Sequence, residues 1–261
     1  MCKLALVSAA WAGPPGAIWL YNSQRDEVLI GHNANARHSI ASITKIMTAM
    51  VYLDYHKYLE TKIRLGNMHR SNLPRQEWSR RDLLAAMLVR SDNAAAETLA
   101  ADYPGGRDAF IRAMNAKARS LKMVNTHFED ASGLSSKNIS NAGEVSIMIS
   151  AAAKYAFIRQ ASVKKQILLD AQVGKKVRTI ELYNTNRPLL FEFDNVIVSK
   201  TGFTNAAGWC VAMVVENGPD QYVVVVLGSK NKQVRAETVK TILYNHLKDS
   251  DVAESSDWQI F

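Results

Sequence analysis

The chain has 261 residues, 48% of them hydrophobic, enough for one large domain or two interleaved subdomains and too apolar for a mainly disordered protein. Its net charge of +8 suits an anionic partner: nucleic acid, an anionic membrane or the bacterial cell wall. The basic residues are scattered in short pairs such as Arg80-Arg81, Lys164-Lys165 and Lys175-Lys176, which argues against a nucleic-acid stripe, and the two cysteines (Cys2, Cys210) and six histidines show no metal spacing.

Met1 to Ala12 reads as a remnant of a secretory signal: a lysine, a short apolar run and small residues ending Ala10-Trp11-Ala12. Gly16–Tyr21 and Glu27–Ile30 are short β-type runs joined by a polar loop. An apolar helical run follows from Ser42 to about His56. Residues 57 to about 175 read as mostly helical. One helix opens at Ser79 and stops near Arg90, a second follows Ser91-Asp92-Asn93, and Pro104-Gly105-Gly106 breaks the pattern. Asp108–Leu121 is amphipathic, Asp130–Leu134 reads as a loop, and a further helix covers about Ala142–Tyr155. From Val177 the pattern turns to strands. Asn195–Lys200, Gly208–Glu216 and Tyr222–Gly228 are apolar, the last two split by the turn Asn217-Gly218-Pro219-Asp220. Val223–Leu227 is apolar throughout, so both its faces should be covered. Arg235–Leu247 reads as a helix, and the tail from 249 as loose. No stretch reaches the roughly 20 apolar residues that would span a bilayer.

This order predicts an α+β fold: an antiparallel sheet flanked by helices, with an inserted helical subdomain. The N-terminal strands should complete a sheet built by the C-terminal ones. Residues 13–56 and 177–248 would form the α/β part and 57–176 the helical part.

Three short motifs carry the chemistry. Ser42 and Lys45 lie three residues apart at a helix start, so both face one side of the first turn. A serine hydroxyl needs a base to become a nucleophile, and a desolvated lysine can serve. Taken alone, the pair reads more plainly as Ser42 an N-cap and Lys45 a solvated lysine. Ser91-Asp92-Asn93 sits between two helices, where Ser91 can relay a proton to a leaving amine and Asn93 can bind an amide. The plainer reading is a cap for the next helix. Lys200-Thr201-Gly202 ends an apolar strand and leads into Phe203-Thr204. Lys200 offers charge, and Thr201 and Thr204 offer hydroxyls to a carboxylate. Gly202 lets a substrate backbone approach as an added strand. The plainer reading is a strand running into a turn. The three motifs occur in order, 49 and 109 residues apart. That trio is a known signature of penicillin-binding proteins and class A β-lactamases.

With Tyr103-Pro104-Gly105-Gly106, the 113–118 stretch and Phe203-Thr204-Asn205-Ala206-Ala207-Gly208, the chain resembles the low-molecular-mass penicillin-binding proteins from about residue 17 to 248. These are D-alanyl-D-alanine carboxypeptidases and endopeptidases with a β-lactamase/transpeptidase-like fold. The likeness is greatest to the penicillin-binding protein 7/8 type of D,D-endopeptidase. The resemblance implies a serine peptidase that cuts D-alanyl-meso-diaminopimelate cross-links through an acyl-enzyme on Ser42, with D-alanyl-D-alanine carboxypeptidase activity as the alternative. Lys45 would be the proton acceptor. Ser91 and Asn93 would line the opposite wall, with Lys200, Thr201, Gly202 and Thr204 on the sheet edge. The backbone amides of Ser42 and Phe203 would form the oxyanion hole. A cationic Lys200 is expected to help keep Lys45 neutral. The implied partners are peptidoglycan stem peptides and, as covalent inhibitors, β-lactams, with no cofactor, metal, nucleic acid or membrane span. The implied location is the periplasm, soluble or loosely attached, because the roughly 60 residues after the Lys-Thr-Gly motif are used up by sheet and helix.

Two rivals share the motifs. A class A β-lactamase needs a glutamate in Glu-x-x-Leu-Asn, and the nearest imitation, Glu181-Leu182-Tyr183-Asn184, has the wrong spacing. A penicillin sensor would be acylated without useful hydrolysis.

Overall fold

The computed structural model describes residues 16–247. The readings of 1–12 as a signal remnant and of 249–261 as a loose tail lie outside the described residues, as does Cys2. The chain opens with the antiparallel strands β1 (Ala17–Asn22) and β2 (Glu27–His32), followed by the short β3 (His38–Ser39). A single 3₁₀ turn, Ala41–Ile43, then feeds α1 (Thr44–Tyr55). Every α1 residue from Thr44 to Tyr52 is buried, which makes it a central helix rather than a surface one.

The short strands β4 (Lys62–Arg64) and β5 (Glu77–Ser79) pair before α2 (Arg80–Val89), whose N-cap is Ser79, accepting from Asp82 N at 3.0 Å. Helix α3 (Asn93–Ala101) starts at Asp92, whose Oδ1 accepts from Ala95 N at 2.9 Å. Its Oδ2 accepts from Ser71 Oγ at 2.6 Å and Asn72 N at 3.1 Å. The helix α4 (Gly106–Ser120) begins after Gly105, whose φ of 81° ends the preceding segment. The short β6 (Ile139–Ser140) pairs with β3, and α5 (Ala142–Ala152) and α6 (Ala156–Ser162) follow.

Next come β7 (Gln166–Val173) and β8 (Lys176–Tyr183), an antiparallel hairpin turning at Gly174, and then the short α7 (Arg187–Glu192). Here the structure corrects the sequence reading, which kept residues to 175 helical. In β7 the buried residues are Ile167, Leu169 and Ala171, an every-second-residue pattern that only a strand satisfies. The last elements are β9 (Val196–Thr204), β10 (Gly208–Asn217), β11 (Asp220–Ser229) and α8 (Lys232–Leu247).

The main sheet is five-stranded and antiparallel, ordered β2-β1-β11-β10-β9. The first two strands thus close a sheet begun by the last three, as predicted. Val223, Val225 and Leu227 of β11 join the large core under α1 and α5. Val224 and Val226 join a second core beneath α7 and α8. Both faces are covered, as the unbroken apolar run requires. The outermost strand on the other side is β9, which passes beside the 3₁₀ turn before α1. That leaves a cleft between a sheet edge and a helical wall.

Asp92→Ala should lower stability by about 2–3 kcal/mol, because a helix cap and two loop donors lose one buried acceptor. Urea unfolding measures it, and a loss below about 0.5 kcal/mol would contradict this account.

Candidate active site

The three motifs meet in that cleft. Ser42 is half-buried in the 3₁₀ turn and Lys45 is fully buried one turn on. Lys45 Nζ lies 2.9 Å from Ser42 Oγ, 2.7 Å from Asn93 Oδ1 and within hydrogen-bond distance of the Ser132 carbonyl. All three partners are uncharged. Asn93 Oδ1 and the Ser132 carbonyl can only accept. If the lysine is neutral, its two N–H bonds go to those acceptors and its lone pair is left facing the Ser42 hydroxyl. That is the geometry of a base poised on a nucleophile.

Burial lowers the Lys45 pKa to about 7. The carboxylates of Asp130, Asp92 and Glu97 oppose this from a distance. Each has other work. Asp130 accepts from the Ser132 and Ser135 amides at 2.9 and 2.6 Å, Asp92 caps α3, and Glu97 pairs with Arg107 at 2.9 Å. Lysine 200 is also buried and is pushed well below its ordinary range by burial, then by the charges of Lys45 and Arg235. The expectation that Lys200 keeps Lys45 neutral is therefore revised: desolvation does that work.

Lys200 Nζ donates to Ser91 Oγ at 3.0 Å and to the Thr201 carbonyl at 2.8 Å. It thereby ties the sheet edge to the helix junction. Ser91 holds its place with a left-handed backbone, φ 63°, a conformation costly for a non-glycine residue. Ala41, just before Ser42, has φ 47° and carries the same kind of strain. Thr201 Oγ1 donates to Thr185 Oγ1 at 2.7 Å, at the base of the β7–β8 hairpin. Thr204 is a partial exception among the predicted residues. Its Oγ1 accepts from Ala207 N at 3.1 Å and closes the turn to β10. The Lys-Thr-Gly motif also lies inside β9, two residues short of its end at Thr204.

Two glycines set the spacing. A Cβ on Gly202 would stand 2.9 Å from Ser42 N, so strand β9 presses its backbone against the Ser42 amide. Gly133, at φ 81°, would put a Cβ 2.0 Å from the Ala41 carbonyl. The loop holding Ser132 is stitched to α1: Thr48 Oγ1 donates to the Ala131 carbonyl at 2.6 Å, and Asn138 Nδ2 donates to Thr44 Oγ1 at 3.1 Å.

Sequence reasoning missed the Ser132 carbonyl, Thr185 and Arg235. The signal for the first was present in Asp130-Ala131-Ser132-Gly133, a composition that favours an Asx turn with its carboxylate on following amides. Arg235 is 6% exposed on α8, and its Nε has no hydrogen-bond partner among the described residues. Burial lowers its pKa to about 10. The imitation of a β-lactamase motif dissolves: Glu181 is exposed on β8, and Asn184 Nδ2 donates to the Ser162 and Lys164 carbonyls, each at 2.9 Å. No helix among the described residues is long and apolar enough to cross a membrane.

The sequence profile of the D-alanyl-D-alanine carboxypeptidase family, peptidase S11, matches residues 15–231. A D-alanyl-D-alanine endopeptidase of Escherichia coli is 38% identical over 221 residues, 80% of this chain and 70% of that one. The Pseudomonas aeruginosa protein of the same name is 33% identical over 232 residues, 81% and 74% of the two chains. Among solved structures, penicillin-binding protein D2 of Listeria monocytogenes, in its cefotaxime-bound form, superposes with a TM-score of 0.76 at 27% identity, covering 87% of this chain and 95% of that one.

With Lys45 at about 7, acylation of Ser42 by a β-lactam should speed up tenfold per pH unit below that value and level off above it, since only the neutral amine accepts a proton. Stopped-flow acylation rates between pH 5 and 9 test the sign; a rate that falls across that range contradicts it. Gly133→Ala should slow the same reaction at least about tenfold, by displacing the Ser42 turn.

Proposed function

The chain belongs to the D-alanyl-D-alanine carboxypeptidase family of serine peptidases, and from that premise we propose that Ser42 is its nucleophile and cross-linked peptidoglycan its substrate. The observation that carries this reading is the Ser42–Lys45 contact at 2.9 Å, with a buried amine whose other two acceptors are neutral.

Ser42 Oγ attacks the carbonyl carbon of a D-alanyl residue while its proton passes to Lys45 Nζ. The oxyanion is held by the amides of Ser42 and Phe203, a reading supported by the close pass of Gly202. The tetrahedral intermediate collapses, the C–N bond breaks, and the leaving amine takes the proton that Lys45 had gained, relayed through Ser91, which Lys200 orients. A water then attacks the ester, giving its proton to Lys45, which passes it on to Ser42 Oγ as the acyl C–O bond breaks and the acid departs. Asn93, already bonded to Lys45, contacts the acyl side's amide. On the leaving side, Thr201 and the buried Arg235 supply a hydroxyl and a cation for a carboxylate. A β-lactam follows the first half of this path and leaves Ser42 acylated.

The endopeptidase reading is favoured over the carboxypeptidase one because relatives above 30% identity carry the endopeptidase name. Its natural place of work is the periplasm, where cross-linked stem peptides are found.

Incubation with defined cross-linked dimers and uncross-linked pentapeptide muropeptides, read by mass, separates the two activities. Monomer release from dimers, abolished in Ser42→Ala, is expected. Terminal D-alanine as the only product would replace endopeptidase with carboxypeptidase. Lys45→Met keeps the side chain's volume and removes the base. It should fold, by circular dichroism, yet lose at least about 10³-fold in acylation rate. Normal penicillin labelling of that variant would refute Lys45 as the base.

A further inference from the structure

Phe203 breaks the pattern of its strand. From Val196 to Gly202 the β9 residues are buried or half-buried, whereas Phe203 is 47% exposed. Its ring stacks on that of Trp209, its cross-strand partner on β10, with centroids 4.3 Å apart and planes 30° apart. Stacked aromatic pairs stabilise sheets, but that alone does not call for an exposed ring at this position.

Its surroundings do. Phe203 follows Thr201 by two residues, so both side chains stand on one face of the strand. The Arg235 guanidinium lies 5.8 Å from the centre of the Trp209 ring and donates to the Cys210 carbonyl at 3.4 Å. Gly202, between Thr201 and Phe203, is the residue pressed against Ser42 N. Within two strand positions of the nucleophile, one face therefore offers a hydroxyl, a buried cation and a shelf of two aromatic rings. A residue whose carboxylate meets Thr201 and Arg235 has its side chain beside that shelf.

The next step rests on the D,D-peptidase reading above, in which that residue is the leaving group. In a carboxypeptidase reaction it is D-alanine, with a methyl side chain. In cross-link cleavage it is the D-centre of a diamino acid, whose side chain is a run of methylenes leading to the second stem. A methyl covers little of the two rings; a methylene chain can lie along them. We propose that the Phe203–Trp209 stack is a specificity-determining shelf for the leaving residue, favouring the aliphatic chain of the cross-linking diamino acid over the methyl of terminal D-alanine.

The test is the ratio of kcat/KM for a cross-linked muropeptide dimer to that for an uncross-linked pentapeptide muropeptide. It is measured in the whole chain and in Phe203→Ala and Phe203→Leu. Discrimination by a few methylenes in an apolar site is worth about tenfold or more. The ratio should drop by about that factor in Phe203→Ala and by less in Phe203→Leu, which keeps an apolar surface. An unchanged ratio overturns the shelf. So does an equal fall for both substrates, which would make the ring a structural support of the strand. The parent reading is checked separately: an unaltered chain that is not labelled by penicillin at Ser42 and cleaves neither substrate would sink that reading, whereas an unchanged ratio in active variants sinks only the shelf.

Discussion

The structure turns on keeping the Lys45 amine dry without giving it a carboxylate. A buried lysine beside an acid becomes a permanent ammonium, and a hydroxyl next to an ammonium is no better a nucleophile than one in water. Here burial lowers the amine to about 7, while Asp130, Asp92 and Glu97 stand near enough to pull it back part of the way. Had any of them reached Lys45 directly, the balance would reverse. Each is instead occupied: by loop amides, by a helix start, by Arg107. The capping of α3 and the turn at 130–135 are thus more than local stabilisation. With the Arg107–Glu97 pair they hold three negative charges away from one nitrogen.

The same demand explains why α1 is buried along most of its length and why so much backbone is pressed together at its start. A dry amine needs walls on every side. The sheet edge supplies one through Gly202, the Ser132 loop another through Gly133, and in both places a Cβ would collide with the 3₁₀ turn. The positive φ angles of Ala41 and Ser91 are the strain that accompanies this convergence. Strain of that kind persists only where packing over-determines it. Here the large core surrounds it, with Ile40, Ile43 and Met47 fully buried.

Much of this was legible in the sequence, for identifiable reasons. Ser42 and Lys45 lie at helical spacing, and spacing survives folding. The two-faced burial of β11 was written in an apolar run with no polar break. The β7 strand could have been read from Ile167, Leu169 and Ala171 but was absorbed into the helical stretch before it. Other features had no residue-type signal at all. The Ser132 group that contacts Lys45 is a main-chain carbonyl, which any residue could provide. Arg235 lies in a polar-looking helix, and only tertiary packing buries it beneath Trp209. The cause of the lysine shift was also hidden, because a charged neighbour can be guessed from a motif while desolvation depends on the whole fold.

Lys45 and Lys200 share burial and a lowered pKa, yet their partners give them different work. Lys45 touches the Ser42 hydroxyl; Lys200 touches Ser91 and a strand carbonyl. With Arg235 they make a cluster of buried basic groups whose hydrogen bonds go to uncharged acceptors. None of those hydrogen bonds brings a carboxylate into the cluster. The burial that lowers the Lys45 pKa also makes the pocket costly to fill with further cations and favourable to an anion. In the proposed reaction the leaving residue bears such an anion, a carboxylate, in both the cross-link and the terminal D-alanine. The carboxylate therefore does not distinguish the two substrates. What differs between the two leaving residues is the side chain, and it is on that part that the shelf proposed for β9 would act.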